Sequence, residues 1–567
     1  MKSLLSVIAF SCVALCWAKT PSFLENASPW ADATIKTLSF QEKVAQCFMP
    51  LVPGKLDEEH IKIVQNFIKT YKIGGIFVTG PITIEQQVHL INRLQSASSV
   101  PLLVGEDLEF GPAMRLTNGM QWPFAMTFGA VQDNDLVYKA AVAMARQARA
   151  IGAHVTASPV ADINSNAQNP IINIRSYGAA KEQVIPKVLA TVKGLEDGGV
   201  IPCIKHFPGH GDTSLDSHKA LPILRHSQQR MFSVELAPFQ AAIDEGVPMI
   251  MTGHLSVPSF DASGTPATLS KLLIQDLLQH AMRFEGLIMT DALIMKALPA
   301  VSPIDINLRA LEAGNDVLIY AQAIPETIQV IVDYATNPDI SEADRNAVEA
   351  VFTEKAYKIL KAKEWLGLAH NATVDPENAS MGAGTPDDYA LLGQIYKAAM
   401  SVVRDAEKKI PLKTLNTKNV LLITRGEAEP FVQQFSLHHR ADHRSVDEGL
   451  GNVGKKLSEY DAIIYVYVPP VYMVGGLAAR MLTGKLEPHV LTDLEKLRSA
   501  HKNVIMVLCA SPFMLYSLPD DLPVLVAYES QDLAQRAAAD ALCGKAPIIG
   551  RLPLVLSDNK VAHEKDL

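Results

Sequence analysis

The chain has 567 residues, of which 48% are hydrophobic and 20% charged, and these values are typical of a folded protein with two or three domains. The formal net charge is −9, from 51 basic and 60 acidic side chains, and there is no long run of lysine or arginine. This balance argues against a nucleic-acid-binding surface, so no nucleic-acid partner is expected.

The first residues have the pattern of an export signal. One positive charge at Lys2 precedes a mostly apolar run over residues 4–18, and a polar segment containing Pro21 follows. The run is short for a membrane span, so we expect a signal peptide over residues 1–18 that is cut near Ala18. The expected location is therefore periplasmic or extracellular, and an uncleaved signal that tethers the chain to the membrane stays open as the alternative.

From about residue 40 to residue 320, short apolar runs alternate with helical segments. The runs are apolar on both faces, as strands of a parallel sheet covered by helices must be. They occupy residues 74–78, 101–106, 155–160, 201–205, 248–253, 286–290 and 316–320. A capping box at residues 39–42 predicts the start of a helix. Seven such strands predict an α/β fold, and favour a (β/α)8 TIM-type barrel over an open doubly wound sheet.

Residues 369–388 are rich in Asn, Pro, Gly and Ser, a composition that predicts a linker or a surface loop. A second alternation of apolar runs and helices follows it, with the runs at 419–424, 461–468, 503–508 and 523–527. The sequence therefore predicts a barrel domain over residues 19–368 and a smaller α/β domain over residues 389–567.

Polar side chains stand where the predicted barrel strands end. They are Asp107, Glu109, Asp162, Asn164, Lys205, His206, His254 and Asp291. The carboxyl ends of barrel strands meet at one mouth, where the βα loops carry the chemistry of such proteins. A barrel that only packs its core does not need polar residues there, so the pattern predicts a site for a polar ligand.

Residues 205–218, KHFPGHGDTSLDSH, hold three histidines and two aspartates. A proline and two glycines prevent the helical spacing on which metal motifs depend, so no metal site is expected. Asp216 and His218 are two residues apart, and a carboxylate there can orient the imidazole as a general acid/base requires. Asp291, on the same mouth, is then the candidate nucleophile.

This loop closely resembles the signature loop of the β-N-acetylglucosaminidases of glycoside hydrolase family 3. GLIMTDALIM, at residues 286–295, looks like the nucleophile strand of that family. The resemblance begins at the helix near Glu42, ends at AGNDVLI, and so covers essentially the whole first domain. The second domain is more loosely similar to the α/β sandwich domain of longer members, with GRLP at residues 550–553. Two departures are Phe110-Gly111-Pro112, where relatives have Gly-Gly-Arg, and Ala292, where many relatives have an acid.

The resemblance implies a retaining exo-β-N-acetylglucosaminidase that removes terminal N-acetylglucosamine from peptidoglycan fragments through a covalent glycosyl-enzyme. Asp291 would be the nucleophile and His218 the general acid/base, with Asp216 orienting His218. The positions that would hold the sugar ring are Asp107, Arg115, Arg175, Lys205 and His206. No metal, no organic cofactor and no obligate protein partner is implied, and the expected partner is a carbohydrate substrate.

Several alternatives stay open at this stage. The first is a β-glucosidase or β-xylosidase of the same fold, although the resemblance implies that such relatives generally lack the Asp-x-His pair on this loop. The second is a non-catalytic protein that binds cell-wall glycans, and the third is a metallohydrolase. A further hypothesis concerns the acceptor: an imidazole that has lost its proton is neutral, so phosphate would compete with water for the glycosyl-enzyme.

Overall fold

The computed structural model describes residues 18–54, 57–412, 419–446, 456–469, 473–474, 477–478 and 486–556. The predicted signal peptide lies outside these residues, apart from Ala18. Among the helices described, none has both the length and the apolar composition that a membrane crossing requires.

The first domain is built on nine short parallel strand segments. They are β1 Phe48–Met49, β2 Leu51–Val52, β3 Gly75–Val78, β4 Leu103–Glu106, β5 Val155–Thr156, β6 Ile201–Phe207, β7 Met249–Thr252, β8 Leu287–Thr290 and β9 Leu318–Ile319. Strands β2 to β8 pair in sequence order, and β9 pairs with β1 in parallel. A bridge between Met289 and Val317 joins β8 to β9. Since β1 and β2 are two pieces of one strand separated by Pro50, the ring closes with eight strands, which confirms the predicted barrel.

Helices surround this ring. They are α1 Ser22–Glu25, α2 Pro29–Thr37, α3 Phe40–Ala45, α4 Glu58–Tyr71, α5 Ile84–Gln95, α6 Ala125–Ala130, α7 Asn134–Ala150, α8 Lys181–Asp197, α9 Gln228–Ser233, α10 Ala237–Asp244, α11 Pro303–Ala313, α12 Ile324–Thr336 and α13 Glu342–Trp365, with a π-helix over Leu272–Ala281. The predicted capping box is confirmed, because the Ser39 hydroxyl accepts from the Glu42 N–H and the Glu42 carboxylate accepts from the Ser39 N–H.

The inside of the barrel is filled by apolar side chains from the strands. Met49, Phe77, Leu103, Met249 and Met289 belong to one buried cluster there. Residues from α1 and α13 join the same cluster. The barrel is therefore a packed core, and its open mouth is the place for a ligand.

Lys363, on α13, is a fully buried lysine whose ammonium group donates to Gln46 Oε1 at 2.7 Å. Burial lowers its pKa to about 7. An unfolded lysine keeps its proton to about pH 10.4, so between these pH values the unfolded chain binds more protons than the folded one. The contribution of Lys363 to the free energy of unfolding therefore rises with pH over this window.

We expect Lys363→Met to increase the free energy of unfolding by about 2 kcal/mol more at pH 6 than at pH 9. Urea unfolding of both proteins at each pH measures this difference, and Lys62→Met, at an exposed position, is the control. An equal effect of Lys363→Met at both pH values would contradict the assignment.

The second domain is a six-stranded sheet with helices. Its strands are β10 Ser401–Val403, β11 Val420–Gly426, β12 Ala441–Ser445, β13 Ala462–Val468, β16 Val504–Leu508 and β17 Val524–Val526, while β14 Met473–Val474 and β15 Leu477–Ala478 form a separate hairpin. The sheet order is β10-β17-β16-β13-β11-β12, and all of its pairs are parallel except the pair of β10 with β17. Its helices are α14 Pro386–Ala399, α15 Glu429–Ser436, α16 Pro488–Ala500 and α17 Asp532–Leu542.

The segment predicted as a linker, residues 369–388, packs against the barrel. It contains a 3-10 helix over Pro376–Ala383, and α14 begins before the segment ends. The Met120 N–H donates to the Gly382 carbonyl at 3.0 Å, and the Asn92 side chain exchanges two hydrogen bonds with the backbone of Val374. This segment is therefore fixed to the barrel surface rather than acting as a free tether.

The end of the described chain returns to the barrel. The Ala179 N–H donates to the Pro553 carbonyl at 3.0 Å, and the Arg551 N–H donates to the Ala130 carbonyl at 3.0 Å. On the other side, the Gly550 N–H donates to the Met400 carbonyl at 3.1 Å. The GRLP segment thus connects the second domain to the barrel loop that follows Arg175.

Candidate active site

A cavity of about 370 Å³ opens at the carboxyl ends of the barrel strands. Its polar lining residues are Asp107, Glu109, Arg115, Arg175, Lys205, His206, His210, Ser217, His218, Asp291, Lys296 and Tyr320. All the residues predicted to bind the sugar are among them, and so are the predicted nucleophile and acid/base. Asp216 lies behind His218, to which it is hydrogen-bonded.

Five charged side chains form a connected network on one wall of the cavity. The Lys205 ammonium lies 2.8 Å from Asp107 Oδ1 and 2.8 Å from Glu109 Oε1. Arg115 binds the other oxygen of Asp107 at 2.5 Å. Arg175 donates two hydrogen bonds to Glu109, of 2.9 and 2.7 Å. The network carries three cations and two carboxylates, and its polar atoms face the cavity at fixed positions, as recognition of a polar ligand requires.

The cations hold both carboxylates of this network in the ionised form. Burial alone would raise the pKa of Asp107, but Lys205 and Arg115 lower it to about 2. Arg175 and Lys205 likewise hold the pKa of Glu109 far below its usual value against the effect of burial. Both groups therefore act as hydrogen-bond acceptors at every pH at which the protein is expected to work.

His206 is fixed by a buried carboxylate that follows β5. His206 Nδ1 lies 2.7 Å from Asp162 Oδ2, and the backbone N–H of His206 donates to Asp162 Oδ1 at 3.1 Å. The Asp162 side chain is fully buried, and despite this burial the nearby imidazoles of His206 and His210 keep its pKa below its usual value. The other ring nitrogen of His206 lies 3.4 Å from Arg175, so the ring is oriented towards the network.

Asp291 follows β8 directly and is partly buried at the bottom of the mouth. Its backbone N–H donates to the Thr252 carbonyl at 3.0 Å, and one carboxylate oxygen accepts from the Ala292 N–H at 2.7 Å. His254 Nε2 donates to the Ala292 carbonyl at 3.0 Å and so fixes the same turn. Burial would raise the pKa of Asp291, but the neighbouring imidazoles, with His254 foremost, and the Ala292 N–H hold it below its usual value. The carboxylate is thus kept ionised, as a nucleophile must be.

The Asp216–His218 pair lies on the loop after β6. Asp216 Oδ1 is 2.8 Å from His218 Nδ1 and also accepts from the His218 backbone N–H at 2.9 Å. The imidazole side chain is 56% exposed, while that of Asp216 is only 18% exposed. The carboxylate therefore binds the far nitrogen of the ring and leaves Nε2 for the cavity, which is the arrangement a general acid/base needs.

Some residues of the site had no assigned role in the sequence. Glu109 and Asp162 stood at predicted strand ends, and the structure shows what they bind. Tyr320 had no assignment, although it directly follows β9 and lines the cavity. Applying the same strand-end rule to the run at residues 316–320 would have found it.

One group of acidic and histidine side chains, which includes Asp212 of the loop, has the spacing of cation ligands. Ligand atoms of Asp212, His226 and Glu235 are within 4.8 Å of one another. The Arg230 guanidinium lies 2.9 Å from Glu235 Oε1 and 3.7 Å from Asp212 Oδ2. The positive charge that compensates these carboxylates is therefore a side chain, and the group reads as an ion-pair cluster.

Comparison with known proteins identifies the family. The family model described as "Glycosyl hydrolase family 3 N terminal domain" matches residues 39–353, which is more than half of the chain. The chain belongs to glycoside hydrolase family 3. The predicted family is thus confirmed, and this family 3 protein is a glycoside hydrolase.

Two curated relatives and two solved structures are similar to this family 3 enzyme. The beta-hexosaminidase A of Pseudoalteromonas piscicida is 31% identical over 69% of this chain and 67% of its own length. The beta-N-acetylglucosaminidase/beta-glucosidase of Cellulomonas fimi is 24% identical over 94% of this chain and 96% of its own length. A family 3 beta-N-acetylglucosaminidase from Paenibacillus sp. str. FPU-7 superimposes with a TM-score of 0.72, 26% identity and coverage of 92% and 100%. A beta-glucoside phosphorylase, BglX, has a TM-score of 0.76, 22% identity and coverage of 93% and 96%, and it shows the likeness of fold alone.

Proposed function

We propose that this enzyme is a retaining exo-β-N-acetylglucosaminidase that releases terminal, non-reducing β-N-acetylglucosamine from peptidoglycan fragments. The observation that carries the proposal is that Asp291 and His218 line the same cavity. The Asp291 carboxylate is kept ionised by its surroundings, and the His218 ring is hydrogen-bonded to Asp216. The names of the relatives, most of all the beta-hexosaminidase at 31% identity, support the sugar specificity. The predicted export of the chain supports a substrate in the cell wall.

The proposed mechanism has two displacements. In the first, a carboxylate oxygen of Asp291 forms a bond to the anomeric carbon as the bond from that carbon to the aglycone oxygen breaks. The imidazolium of His218 gives its proton to the departing oxygen. In the second, the now neutral imidazole takes a proton from water, whose oxygen bonds to the anomeric carbon and releases Asp291. Two inversions leave the sugar in its original β configuration.

The charged wall is suited to hold the sugar during both steps. A pyranose ring presents hydroxyl groups that both donate and accept hydrogen bonds. Asp107 offers carboxylate acceptors, while Arg115, Arg175 and Lys205 offer donors at fixed positions. His206, locked by Asp162, adds a ring nitrogen of defined direction. Each of these five side chains therefore has a proposed part in substrate binding.

The first test of this function compares aryl N-acetyl-β-glucosaminide with the matching aryl β-glucoside, using the chain from Lys19 onward. We expect chromophore release from the acetamido sugar. Release mainly from the glucoside would replace the proposal with the β-glucosidase alternative. Release from neither would favour a non-catalytic glycan-binding protein.

The same assay addresses the acceptor. Because a deprotonated His218 is neutral, it does not repel phosphate as a carboxylate base would. Products formed with and without phosphate separate the two outcomes: sugar phosphate indicates phosphorolysis, and free sugar alone under both conditions indicates hydrolysis only.

A further inference from the structure

His210 lies in the same loop as His218 but belongs to its buried part. The His210 side chain is almost fully buried, and its backbone N–H donates to Asp162 Oδ1 at 2.7 Å. Its carbonyl accepts from Asn169 Nδ2 at 2.8 Å. Asp162 also fixes His206, so the backbone of His210 is tied to the wall that faces the sugar.

The ring of His210 connects this fixed backbone to the later part of the loop. Nδ1 lies 2.6 Å from the Thr213 hydroxyl, and Nε2 lies 3.1 Å from the Ser217 hydroxyl. Ser217 is itself buried and directly precedes His218, whose ring is largely exposed. The ring thus links the fixed backbone of His210 to Ser217, which is next to the proposed acid/base His218.

The hydrogen-bond partners determine which ring nitrogen of His210 carries the proton. Burial lowers the pKa of His210 to about 4, so the ring is neutral and has one N–H group. When the Thr213 hydroxyl donates its one proton to the His210 carbonyl at 3.0 Å, it accepts from Nδ1. In the tautomer that fits this bond, the proton is on Nδ1, and Nε2 accepts from the Ser217 hydroxyl.

We propose that His210 is a positioning residue for His218: its Nε2 accepts from Ser217 and thereby holds the His218 ring in the direction from which it protonates the leaving oxygen. This inference rests on the proposed function of His218. It gives a role to a histidine of the loop that neither binds Asp216 nor follows a strand end. His210 also lines the cavity, so the alternative hypothesis is that its ring contacts the sugar directly.

The two hypotheses predict different effects of the leaving group on the activity of the variants. From the 2,4-dinitrophenyl N-acetylglucosaminide, dinitrophenolate departs without a proton. N,N′-Diacetylchitobiose has an alcohol leaving group, which needs a proton from the acid. In kcat/KM, which reports the first displacement, a variant that misdirects His218 loses activity on the disaccharide alone. A variant that loses a sugar contact loses activity on both substrates equally.

The experiment uses three single variants and measures kcat/KM for both substrates. Ser217→Ala removes the donor to Nε2. His210→Asn retains a donor near the Nδ1 position and loses the acceptor, whereas His210→Gln retains an acceptor near the Nε2 position. We expect Ser217→Ala and His210→Asn to lose about tenfold to a hundredfold on the disaccharide, a part of what general acid catalysis contributes. On the dinitrophenyl substrate both should stay within about threefold of the wild type, and His210→Gln should lose less on the disaccharide than His210→Asn.

Equal losses on both substrates, or an unchanged Ser217→Ala, would overturn the assignment. Ser217→Ala makes the smallest change in volume, so it keeps the test valid if a His210 variant does not fold, and thermal unfolding of each variant checks this. The wild-type enzyme separates this inference from the proposed function. If it cleaves neither substrate, the function is wrong; if it cleaves both and the variants show no leaving-group dependence, only the role of His210 is wrong.

Discussion

Replacing Asp291 by asparagine is expected to lower kcat/KM for the aryl N-acetylglucosaminide by about 10⁴-fold or more. The amide has nearly the shape of the carboxylate and still accepts from the Ala292 N–H, so the turn after β8 stays in place. What is lost is the negative charge that bonds to the anomeric carbon. The rate is measured with the purified variant after its fold has been checked by circular dichroism.

Asp276→Asn is the matched control for this change. Asp276 is an exposed aspartate that pairs only loosely, at 3.8 Å, with His280 of the same helix. Its replacement should leave kcat/KM within about twofold of the wild type, because exposed ion pairs contribute little. An Asp291→Asn enzyme that keeps a tenth of the wild-type rate would remove Asp291 from the mechanism.

Lys205→Met is expected to have the largest effect on stability together with a loss of sugar binding. Lys205 is buried and shared by Asp107 and Glu109, each at 2.8 Å. Its removal leaves two partly buried carboxylates with one cation fewer. Breaking a buried ion pair costs about 3–5 kcal/mol, and we expect the low end of this range because Arg115 and Arg175 remain. Urea unfolding measures this loss.

The same variant should raise KM for the aryl N-acetylglucosaminide more than it lowers kcat, since the wall it damages is proposed to hold the sugar in both steps. Lys193→Met is the control: Lys193 is exposed and pairs with Asp197 on the surface of one helix. It should change the free energy of unfolding by no more than about 0.5 kcal/mol. A Lys205→Met enzyme with unchanged stability and unchanged KM would contradict the role given to the network.

The barrel strands were predictable because burial on both faces leaves a clear signal of consecutive apolar residues. One strand was missed, and the reason is local. The run from Phe48 to Val52 is interrupted by Pro50, which lacks an N–H and divides the strand into two short pieces. In the second domain the edge strand Ala441–Ser445 was also missed, because its side chains are mostly exposed and polar, and its sequence gives no apolar run.

The site was predictable as far as one rule reaches, namely that polar residues at strand ends meet at one mouth. Asp107, Lys205 and Asp291 follow this rule, and they line one cavity. One of the two partners of Glu109, Arg175, does not follow it. Arg175 lies in the long excursion that follows the two-residue strand Val155–Thr156, and nothing in the spacing of residues predicts where such a segment folds back.

Composition alone did not distinguish a linker from a surface loop at residues 369–388. Asn, Pro, Gly and Ser are frequent in segments without regular structure, but short helices also begin with these residues. In residues 369–388, Asp375 and Thr385 cap helices that begin at Pro376 and Pro386. Whether the chain packs against a neighbour depends on tertiary contacts, here between the Met120 N–H and the Gly382 carbonyl.

The most direct test of the proposed mechanism is to trap the covalent intermediate. The enzyme is incubated with a 5-fluoro-N-acetyl-β-glucosaminyl fluoride, which forms the glycosyl-enzyme readily and releases it slowly. Intact mass and peptide mapping then locate the sugar. We predict one sugar per chain, bound through an ester to Asp291. A sugar on any other residue, or turnover without an adduct and with inversion at the anomeric carbon, would contradict the double-displacement mechanism.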